Sequence, residues 1–417
     1  MPVPDPRAGL PDLPTPVYLY DLAHVRANHR SLRDALPAAA GLYYSLKANP
    51  HPAVLSQLRT LGARAEVCST GELHAALDAG WRGADILYTG PGKRDDEIRE
   101  ALEHGVCDFS VDSPYALDQL DRLAADRDLE ARCLLRVNDD QPVPGQGLVM
   151  TGVTSQFGAD TGWILDEPQR FASRAHARVS GLHLYMGTNL TGTSALLGQF
   201  ARAVATAKRL SDALTPHGVR LETLDLGGGF GAPFAKEGSL PDLTGLRQGL
   251  EDLLDAEVTG WRDGAPEVVF ESGRYLVGTA GKLLTTTLDV KSSQGKDVVI
   301  LESGINHLGG MSGMRRLPPL NPSVLGPSGS GEEMPDALLT GPLCTPLDTW
   351  SRSAPLPAVR PGDVLCVPNV GAYGLYASLV AFLGHPLPAE AVLDSDRPDA
   401  GCDITRLALT RTLASKE

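Results

Sequence analysis

The sequence predicts an α/β fold: a (β/α)8 (TIM) barrel followed by a C-terminal antiparallel β domain. Three observations support this prediction. Short apolar runs alternate with helical segments from about residue 40, and after Arg274 this alternation gives way to threonine-rich and valine-rich runs. The length of 417 residues also exceeds that of a typical single domain. The predicted domain limits are 17–275 for the barrel, and 276–417 together with 1–16 for the β domain.

Eight β-type runs occur in the first part of the chain, with polar or glycine-bearing turns and helical segments between most of them. They are residues 41–46, 64–68, 85–88, 107–111, 132–137, 179–185, 222–226 and 267–271. Eight β/α units in about 240 residues are typical of a (β/α)8 barrel. A doubly wound sheet fits the same alternation, so the count alone does not decide between the two.

Several helix ends have recognisable local signals. One predicted helix begins at Ser69, and Glu72 three residues later completes the pattern of a capping box. Glycines that are typical of helix ends follow this helix at Gly80 and the next one at Gly105. A longer helix is predicted over residues 194–214.

The residue pattern after Arg274 indicates an antiparallel β domain. Threonine-rich and valine-rich runs alternate there with Gly/Pro turns. The predicted strands are residues 283–290, 297–301, 363–367 and 403–409.

Composition excludes several classes of protein. A net charge of -14 argues against a nucleic-acid partner, which would require a basic surface. No apolar stretch is long enough to span a bilayer, and the first 14 residues lack the apolar core of a signal peptide. The six cysteines form no C-x-x-C pair, so we expect reduced thiols in a cytoplasmic protein with no metal site.

A lysine stands where chemistry is expected in such a barrel, at the carboxyl end of a strand. Lys47 directly follows the first predicted strand. Taken alone, it is more often a solvated strand end. The functional alternative is an amine that is partly desolvated at the barrel mouth, with a pKa low enough for nucleophilic attack.

Two further strand ends carry unusual residues. Gly227, Gly228 and Gly229 follow the seventh strand, where they fit a phosphate-binding loop, a loose dinucleotide fingerprint or merely a tight turn. Glu271 and Arg274 end the eighth strand, where they alone could be a salt bridge. Together with the lysine, these residues fit a pyridine cofactor: an imine to the lysine, a phosphate on the glycines and the arginine, and a carboxylate on the ring nitrogen.

The chain resembles the fold-type III, alanine-racemase-like pyridoxal 5'-phosphate decarboxylases, the group that contains ornithine and diaminopimelate decarboxylases. The resemblance covers nearly the whole length, and several motifs in the same order are more specific than any one of them. They are TPVYLYD at 15–21, SLKAN at 45–49, GLH at 181–183, GGGFG at 227–231, ESGR at 271–274, GPLC at 341–344 and GAYG at 371–374.

The resemblance implies a pyridoxal phosphate enzyme with two catalytic residues, Lys47 as the Schiff-base lysine and Cys344 as the proton donor. Cys344 would come from the second subunit of a homodimer. The implied cofactor contacts are Lys47, Glu66, Arg136, Tyr185, Thr188, Gly228, Gly229, Glu271, Ser272, Gly273, Arg274 and Tyr373. The predicted substrate contacts are Arg274, Arg315, Arg316, Thr345, Asp348 and Tyr373. For Arg315 and Arg316, a solvated pair of loop residues is an equally good alternative.

Three departures from the family pattern bear on the substrate. Tyr185 stands where the family usually stacks a histidine on the cofactor, and Gln156 replaces a lysine. Thr345 occupies the place of an acidic residue that contacts the distal end of the substrate in ornithine and diaminopimelate decarboxylases. A simple basic diamino acid is therefore disfavoured. Other segments are similar to a subgroup from biosynthetic gene clusters, which acts on carrier-bound or siderophore-type substrates.

The predicted function is decarboxylation of an amino acid, or of an amino-acid-derived substrate, by a pyridoxal phosphate carboxy-lyase. The substrate is either a small molecule or an aminoacyl group on a carrier protein. The alternatives are a racemase or epimerase on the same cofactor, a non-catalytic regulatory protein that binds it and, more distantly, a nicotinamide dehydrogenase.

Overall fold

The computed structural model describes residues 13–140, 152–309, 320–326 and 333–411. Within them, contacts divide the chain into two compact units. The barrel unit contains the described residues of Val25–Ala232 and Leu240–Leu276, and the β unit contains the described residues of Met1–His24, Pro233–Ser239 and Val277–Glu417. The domain limits predicted above stay a prediction.

The elements are numbered in chain order. The strands are β1 (Val17–Asp21), β2 (Gly41–Ser45), β3 (Arg64–Val67), β4 (Ile86–Tyr88), β5 (Asp108–Val111), β6 (Ala131–Asn138), β7 (Ala159–Asp160), β8 (Ala177–His183), β9 (Thr223–Asp225), β10 (Glu267–Ser272), β11 (Gly281–Ser293), β12 (Lys296–Leu301), β13 (Met334–Thr340), β14 (Thr349–Leu356), β15 (Val364–Val367), β16 (Ala389–Leu393) and β17 (Asp403–Arg406). The helices are α1 (Leu22–Ala35), α2 (Pro52–Thr60), α3 (Thr70–Asp78), α4 (Asp95–Glu103), α5 (Pro114–Ala125), α6 (Thr161–Asp166), α7 (Thr193–Leu214), α8 (Leu246–Glu257) and α9 (Arg274–Val277).

Eight parallel strands form a closed barrel. They follow one another in the order β2, β3, β4, β5, β6, β8, β9 and β10, and pairing of β10 with β2 completes the ring. Each of the eight predicted apolar runs supplies one strand. Closure excludes the doubly wound sheet, so the predicted fold class is confirmed.

The predicted helix ends are formed by the expected residues. The Ser69 hydroxyl accepts a hydrogen bond from the Glu72 N–H at 3.2 Å. The Glu72 carboxylate accepts from the Cys68 N–H at 2.8 Å, one residue earlier than a capping box would place it. Gly80 and Gly105 follow α3 and α4 with φ of 93° and 79°, a conformation that L side chains disfavour.

The β unit is built on a sheet in the order β14-β13-β12-β11-β1-β16-β17, with β15 also paired to β11. Most pairings are antiparallel, as predicted, but β1 pairs with β16, and β12 with β13, in parallel. Both exceptions join strands that are far enough apart in sequence for a crossover connection, which a parallel pair requires. Its core contains Val17, Leu19, Leu284, Ala389 and Ala391.

No helix within the described residues is both long enough and apolar enough to cross a membrane. All six cysteines lie in the described part of the chain, and none forms a disulfide there. Burial raises the pKa of Cys133 to about 12 and that of Cys366 to about 11. Both side chains are therefore protonated thiols at neutral pH, which pack as small apolar groups.

Candidate active site

Lys47 lies at the carboxyl end of β2, in a single turn between the buried residues Leu46 and Ala48. Its side chain is 41% exposed, whereas the Glu66 side chain beside it is buried. The Lys47 amine donates to the two Glu66 carboxylate oxygens at 2.9 and 3.1 Å. The pair forms because β2 and β3 are parallel neighbours, with Ser45 in register with Glu66.

Glu66 is ionised despite its burial. The Thr89 hydroxyl donates to its carboxylate at 2.7 Å. Burial alone would raise the pKa of Glu66, but the charge of Lys47 and hydrogen bonds from Ser45, Thr89 and Lys47 outweigh it and lower the pKa to about 2. A fixed negative charge therefore lies beside the amine.

This pKa predicts a specific acid sensitivity of the cofactor-free protein. Because the pKa of Glu66 falls from 4.5 to about 2 on folding, its ionised form stabilises the fold above pH 4.5. That contribution is lost as the pH falls from 4.5 towards 2. Urea unfolding of the wild type and of Glu66→Gln across this window should show a steeper loss of unfolding free energy in the wild type. Parallel curves would contradict the assignment.

Three ionisable side chains meet inside the barrel, on the adjacent strands β8, β9 and β10. The ligand atoms of His183, Asp225 and Glu271 all lie within 4.8 Å of one another, and each of these residues is buried. His183 Nδ1 is 2.9 Å from the Ser110 hydroxyl. His183 Nε2 is 3.2 Å from Glu271 Oε1, although the two atoms are not aligned for a hydrogen bond.

The cluster disfavours charge on each of its members. Burial, followed by the charges of Glu66 and Asp225, raises the pKa of Glu271 well above its ordinary value. Burial raises the pKa of Asp225 to about 7, although the Gly227 N–H, which donates to its carboxylate at 2.8 Å, acts in the opposite direction. Burial, with the Arg136 charge, lowers the pKa of His183. A cation placed beside Glu271 would instead favour its ionised form.

The glycine run after β9 brings the backbone close to its neighbours. Gly227 and Gly229 have φ of 65° and 95°. A Cβ on Gly228 would lie 2.2 Å from the Glu271 carbonyl oxygen, and one on Gly229 would lie 2.7 Å from that of Gly187. Side chains are therefore excluded at these positions, which leaves a backbone-lined loop of the kind that binds phosphate.

Arg136 and Tyr185 form another part of the site. The buried Arg136 guanidinium lies 4.7 Å from the centre of the Phe157 ring and 6.0 Å from that of Tyr185. Both distances are within the range of cation–π contacts. The Tyr185 ring also borders the glycine loop, since a Cβ on Gly228 would lie 3.7 Å from it. Tyr185 thus packs between a fixed cation and the loop.

The buried polar atoms fit pyridoxal phosphate. Glu271 Oε1 and the Ser272 hydroxyl are buried and have no hydrogen-bond partner among the described residues. Leaving such groups unsatisfied is costly. A protonated pyridine nitrogen would donate to Glu271 Oε1, and a phosphate suits the glycine loop. Lys47 supplies an amine at the same end of the barrel.

The predicted site residues are divided between the two units. The barrel unit contains Lys47, Glu66, Arg136, Tyr185, Thr188, Gly228, Gly229, Glu271, Ser272, Gly273 and Arg274. The β unit contains Cys344, Thr345, Asp348 and Tyr373. Arg315 and Arg316 lie outside the described residues.

Asp348 is buried and connects two loops of the β unit. One carboxylate oxygen accepts from the Ile305 N–H and the other from the Leu343 N–H, both at 2.8 Å. Gly304 and Gly341 pack so closely that a Cβ on either would lie within 2.4 Å of this carboxylate. Asp348 therefore fixes the segment that leads to Cys344, and its contact with substrate stays a prediction.

Sequence reasoning missed Thr89, Ser110, His183 and Asp225. Each is a buried polar residue in a predicted barrel strand or directly after one. His183 and Asp225 are direct neighbours in the register of β8 and β9. A search for polar residues near the carboxyl ends of apolar strands would have found them, because such residues need a partner when they are buried.

Comparisons with known proteins identify the family of the chain. A family model described as pyridoxal-dependent decarboxylase, pyridoxal binding domain, matches residues 22–278. The chain is 32% identical over 380 residues to L-glutamyl-[BtrI acyl-carrier protein] decarboxylase of Niallia circulans, covering 90% of this chain and 88% of that protein. It is 33% identical over 372 residues to diaminopimelate decarboxylase of Pseudomonas aeruginosa, covering 87% and 84%.

The fold is also shared with a solved structure, diaminopimelate decarboxylase from Helicobacter pylori complexed with L-lysine. The TM-score is 0.80 at 25% identity, and the match covers 95% of this chain and 94% of that one. The predicted cofactor and reaction class are thereby confirmed, and the racemase alternative is not favoured. The chain belongs to the pyridoxal-dependent decarboxylase family, and it is a pyridoxal phosphate carboxy-lyase.

Proposed function

We propose that the protein removes the α-carboxyl group of an amino acid or of an amino-acid-derived substrate, with Lys47 and Glu271 as the residues that act on the cofactor. The observation that carries this proposal is Glu271 Oε1, a buried carboxylate oxygen without a hydrogen-bond partner among the described residues. It lies in a barrel whose first strand, β2, is followed directly by the turn that contains Lys47. This arrangement suits a pyridine cofactor whose ring nitrogen would be bound by Glu271 and whose carbonyl carbon would be bound by Lys47.

The residues have distinct roles in this reaction. When bound, pyridoxal phosphate supplies a ring that withdraws the electron pair released as carbon dioxide leaves. Lys47 would hold the cofactor through its Nζ amine, at the position where the amino group of a substrate would take its place. Ionised Glu66 places a negative charge 2.9 Å from the Lys47 amine. Glu271 would hold a proton on the ring nitrogen of the bound cofactor.

Orientation is the second contribution of the chain. Gly228, Gly229, Ser272 and Arg274 would hold the phosphate, and Tyr185 would pack on the ring. Contacts from these residues would fix the orientation of a bound cofactor and therefore of the substrate held against it. Such positioning removes a large part of the entropic barrier.

We further propose a homodimer in which Cys344 of one subunit protonates the substrate carbon in the other. Cys344 is exposed on a segment that Asp348 fixes, and Leu347 on the same segment is 46% exposed. An exposed thiol on a rigid segment, next to an exposed apolar side chain, suits contact with a second copy. Location in the cytoplasm also stays a prediction.

Subunit complementation tests the shared site. Lys47→Ala and Cys344→Ala are expected to be nearly inactive when expressed separately. Co-expression should restore about a quarter of wild-type activity, because half of randomly paired dimers are mixed and each mixed dimer has one intact site. The control pairs Lys47→Ala with Glu271→Gln, two changes in the same barrel, which should restore nothing. If the first pair gave no recovery although mixed dimers had been isolated by two different affinity tags, one on each variant, the shared site would be rejected.

For the substrate, we propose an aminoacyl group on a carrier protein or a siderophore-type precursor. Thr345 offers no negative charge to a distal ammonium, and the Niallia circulans relative is named for an aminoacyl carrier protein. The second candidate is a free diamino acid, which the Pseudomonas aeruginosa relative favours by its name.

Carbon dioxide release from a substrate panel distinguishes these candidates. The panel contains L-glutamyl carrier protein, free L-glutamate, diaminopimelate, ornithine, lysine and citryl-diamino adducts. We expect turnover of the tethered or adduct substrates, with kcat/KM at least about tenfold above that of diaminopimelate. A preference for diaminopimelate would contradict the carrier-bound or siderophore-type substrate and would support a free diamino acid instead. Exchange of the α-hydrogen without carbon dioxide release would contradict the proposed roles altogether.

A further inference from the structure

Two histidines and a glutamate meet on helices of the barrel unit. His74 lies in α3, Glu100 lies in α4, and His104 directly follows α4. One ligand atom of each residue lies within 4.8 Å of those of the other two. His74 Nε2 is 2.5 Å from a Glu100 carboxylate oxygen, and the two imidazole rings meet edge to face with centroids 6.5 Å apart.

The chemistry of these three side chains is that of a metal site. Two imidazoles and one carboxylate are a common ligand set for zinc, with a further position left open. Zinc–nitrogen bonds of about 2.0–2.1 Å place tetrahedral ligands roughly 3.3 Å apart. The observed limit of 4.8 Å between the ligand atoms is close to that separation.

The backbone supports the arrangement. Glu100 and His104 are four residues apart, so they share one face of the helix. The His104 N–H donates to the Glu100 carbonyl at 3.1 Å, which fixes their relative position. His74 approaches from the neighbouring helix. The His74 and Glu100 side chains are 52% and 34% exposed, so an ion can reach them from solvent.

A simple surface ion pair explains only part of the cluster. Within the described residues, His74 is the one ion-pair partner of Glu100, and such exposed pairs contribute little to stability. That explanation gives no role to His104, whose ring contacts His74 but makes no hydrogen bond within the described part of the chain. A shared ion accounts for all three side chains.

We propose that His74, Glu100 and His104 bind a divalent transition-metal ion, with Zn²⁺ as the probe. The sequence shows no such motif, because 26 residues separate the first ligand from the second. The ion would connect α3 to α4. The three ligands lie on these helices or directly after them, and not at the carboxyl ends of the barrel strands. The expected effect is therefore on stability rather than on turnover.

Calorimetric titration of the EDTA-treated holoenzyme with Zn²⁺ tests the site. We expect one ion per chain and a rise in Tm on binding. His74→Ala and His104→Ala should each weaken binding by at least about tenfold, because even changes around metal ligands have effects of this size. The matched control is His217→Ala, an exposed histidine elsewhere in the barrel unit, which should bind as the wild type does.

The outcomes separate this site from the active site. Both histidine variants should keep the visible cofactor absorbance and the decarboxylase activity of the wild type. No binding of Zn²⁺ to the wild type would overturn the proposal, as would unchanged affinity in both variants. Binding that is lost together with the cofactor would place the ion at the active site, which also overturns it.

Discussion

Lys47→Ala is expected to lower kcat by at least about 10³-fold and to remove the visible absorbance that a covalent link to Lys47 gives the cofactor. Among the described residues, Lys47 is the one cationic side chain that forms an ion pair with Glu66. Steady-state kinetics and the visible spectrum of the purified variant measure both effects. A variant that kept both its colour and its turnover would reject Lys47 as the cofactor lysine.

Two controls separate covalent chemistry from loss of the ion pair. Lys47→Arg retains a cation for the buried Glu66 but cannot form the covalent link, so it should be folded and inactive. Lys93 is the chemical rival, because burial lowers its pKa to about 8, although its amine donates to the Gly90 and Ser110 carbonyls at 2.7 and 2.6 Å. Borohydride reduction followed by peptide mapping should label Lys47 and leave Lys93 unmodified.

Glu271→Gln is expected to lower kcat by about 10²–10³-fold, the size of effect seen when one group that stabilises developing charge is removed. The amide matches the carboxyl in size but lacks its charge, so the ring nitrogen loses the partner that keeps it protonated. The KM should change much less, because Glu271 is buried within the barrel rather than exposed to substrate.

The same strand offers a matched control. Glu267 begins β10, and its carboxylate pairs with Arg64 at 2.9 Å. Glu267→Gln removes the same charge from the same strand, at the end away from the site, and should leave kcat within about twofold of the wild type. Equal losses in the two variants would indicate a general effect of charge or folding, and would contradict a specific role for Glu271.

The barrel was predictable because its signals are local. Each apolar run, such as 64–68 or 107–111, formed a parallel strand, and Ser69 capped α3 as expected. The pairings of β1 with β16 and of β12 with β13 were not predictable. They join segments distant in sequence, and no periodicity within a strand specifies which partner it takes or in which direction.

The candidate site depends on both local and long-range features, and its residue roles stay a prediction. Lys47 and Glu271 stand out because charged groups are unexpected at the ends of apolar strands. The meeting of His183 with Asp225 depends on the register between β8 and β9, and the pKa of each depends on depth in the barrel. The residue types alone determine neither the strand register nor the depth of a side chain in the barrel, so the cluster could be identified only from the three-dimensional structure.

The way Asp348 holds its loop has a consequence for adaptation. Its carboxylate binds backbone N–H groups of Ile305 and Leu343, which every non-proline residue provides. Most of what holds the segment is therefore independent of the side chain at position 345, although the Thr345 hydroxyl adds one hydrogen bond, which it accepts from the Leu347 N–H at 3.3 Å. New preferences can arise there by single substitutions without rebuilding the scaffold, which makes Thr345 a natural starting point for directed evolution of this enzyme.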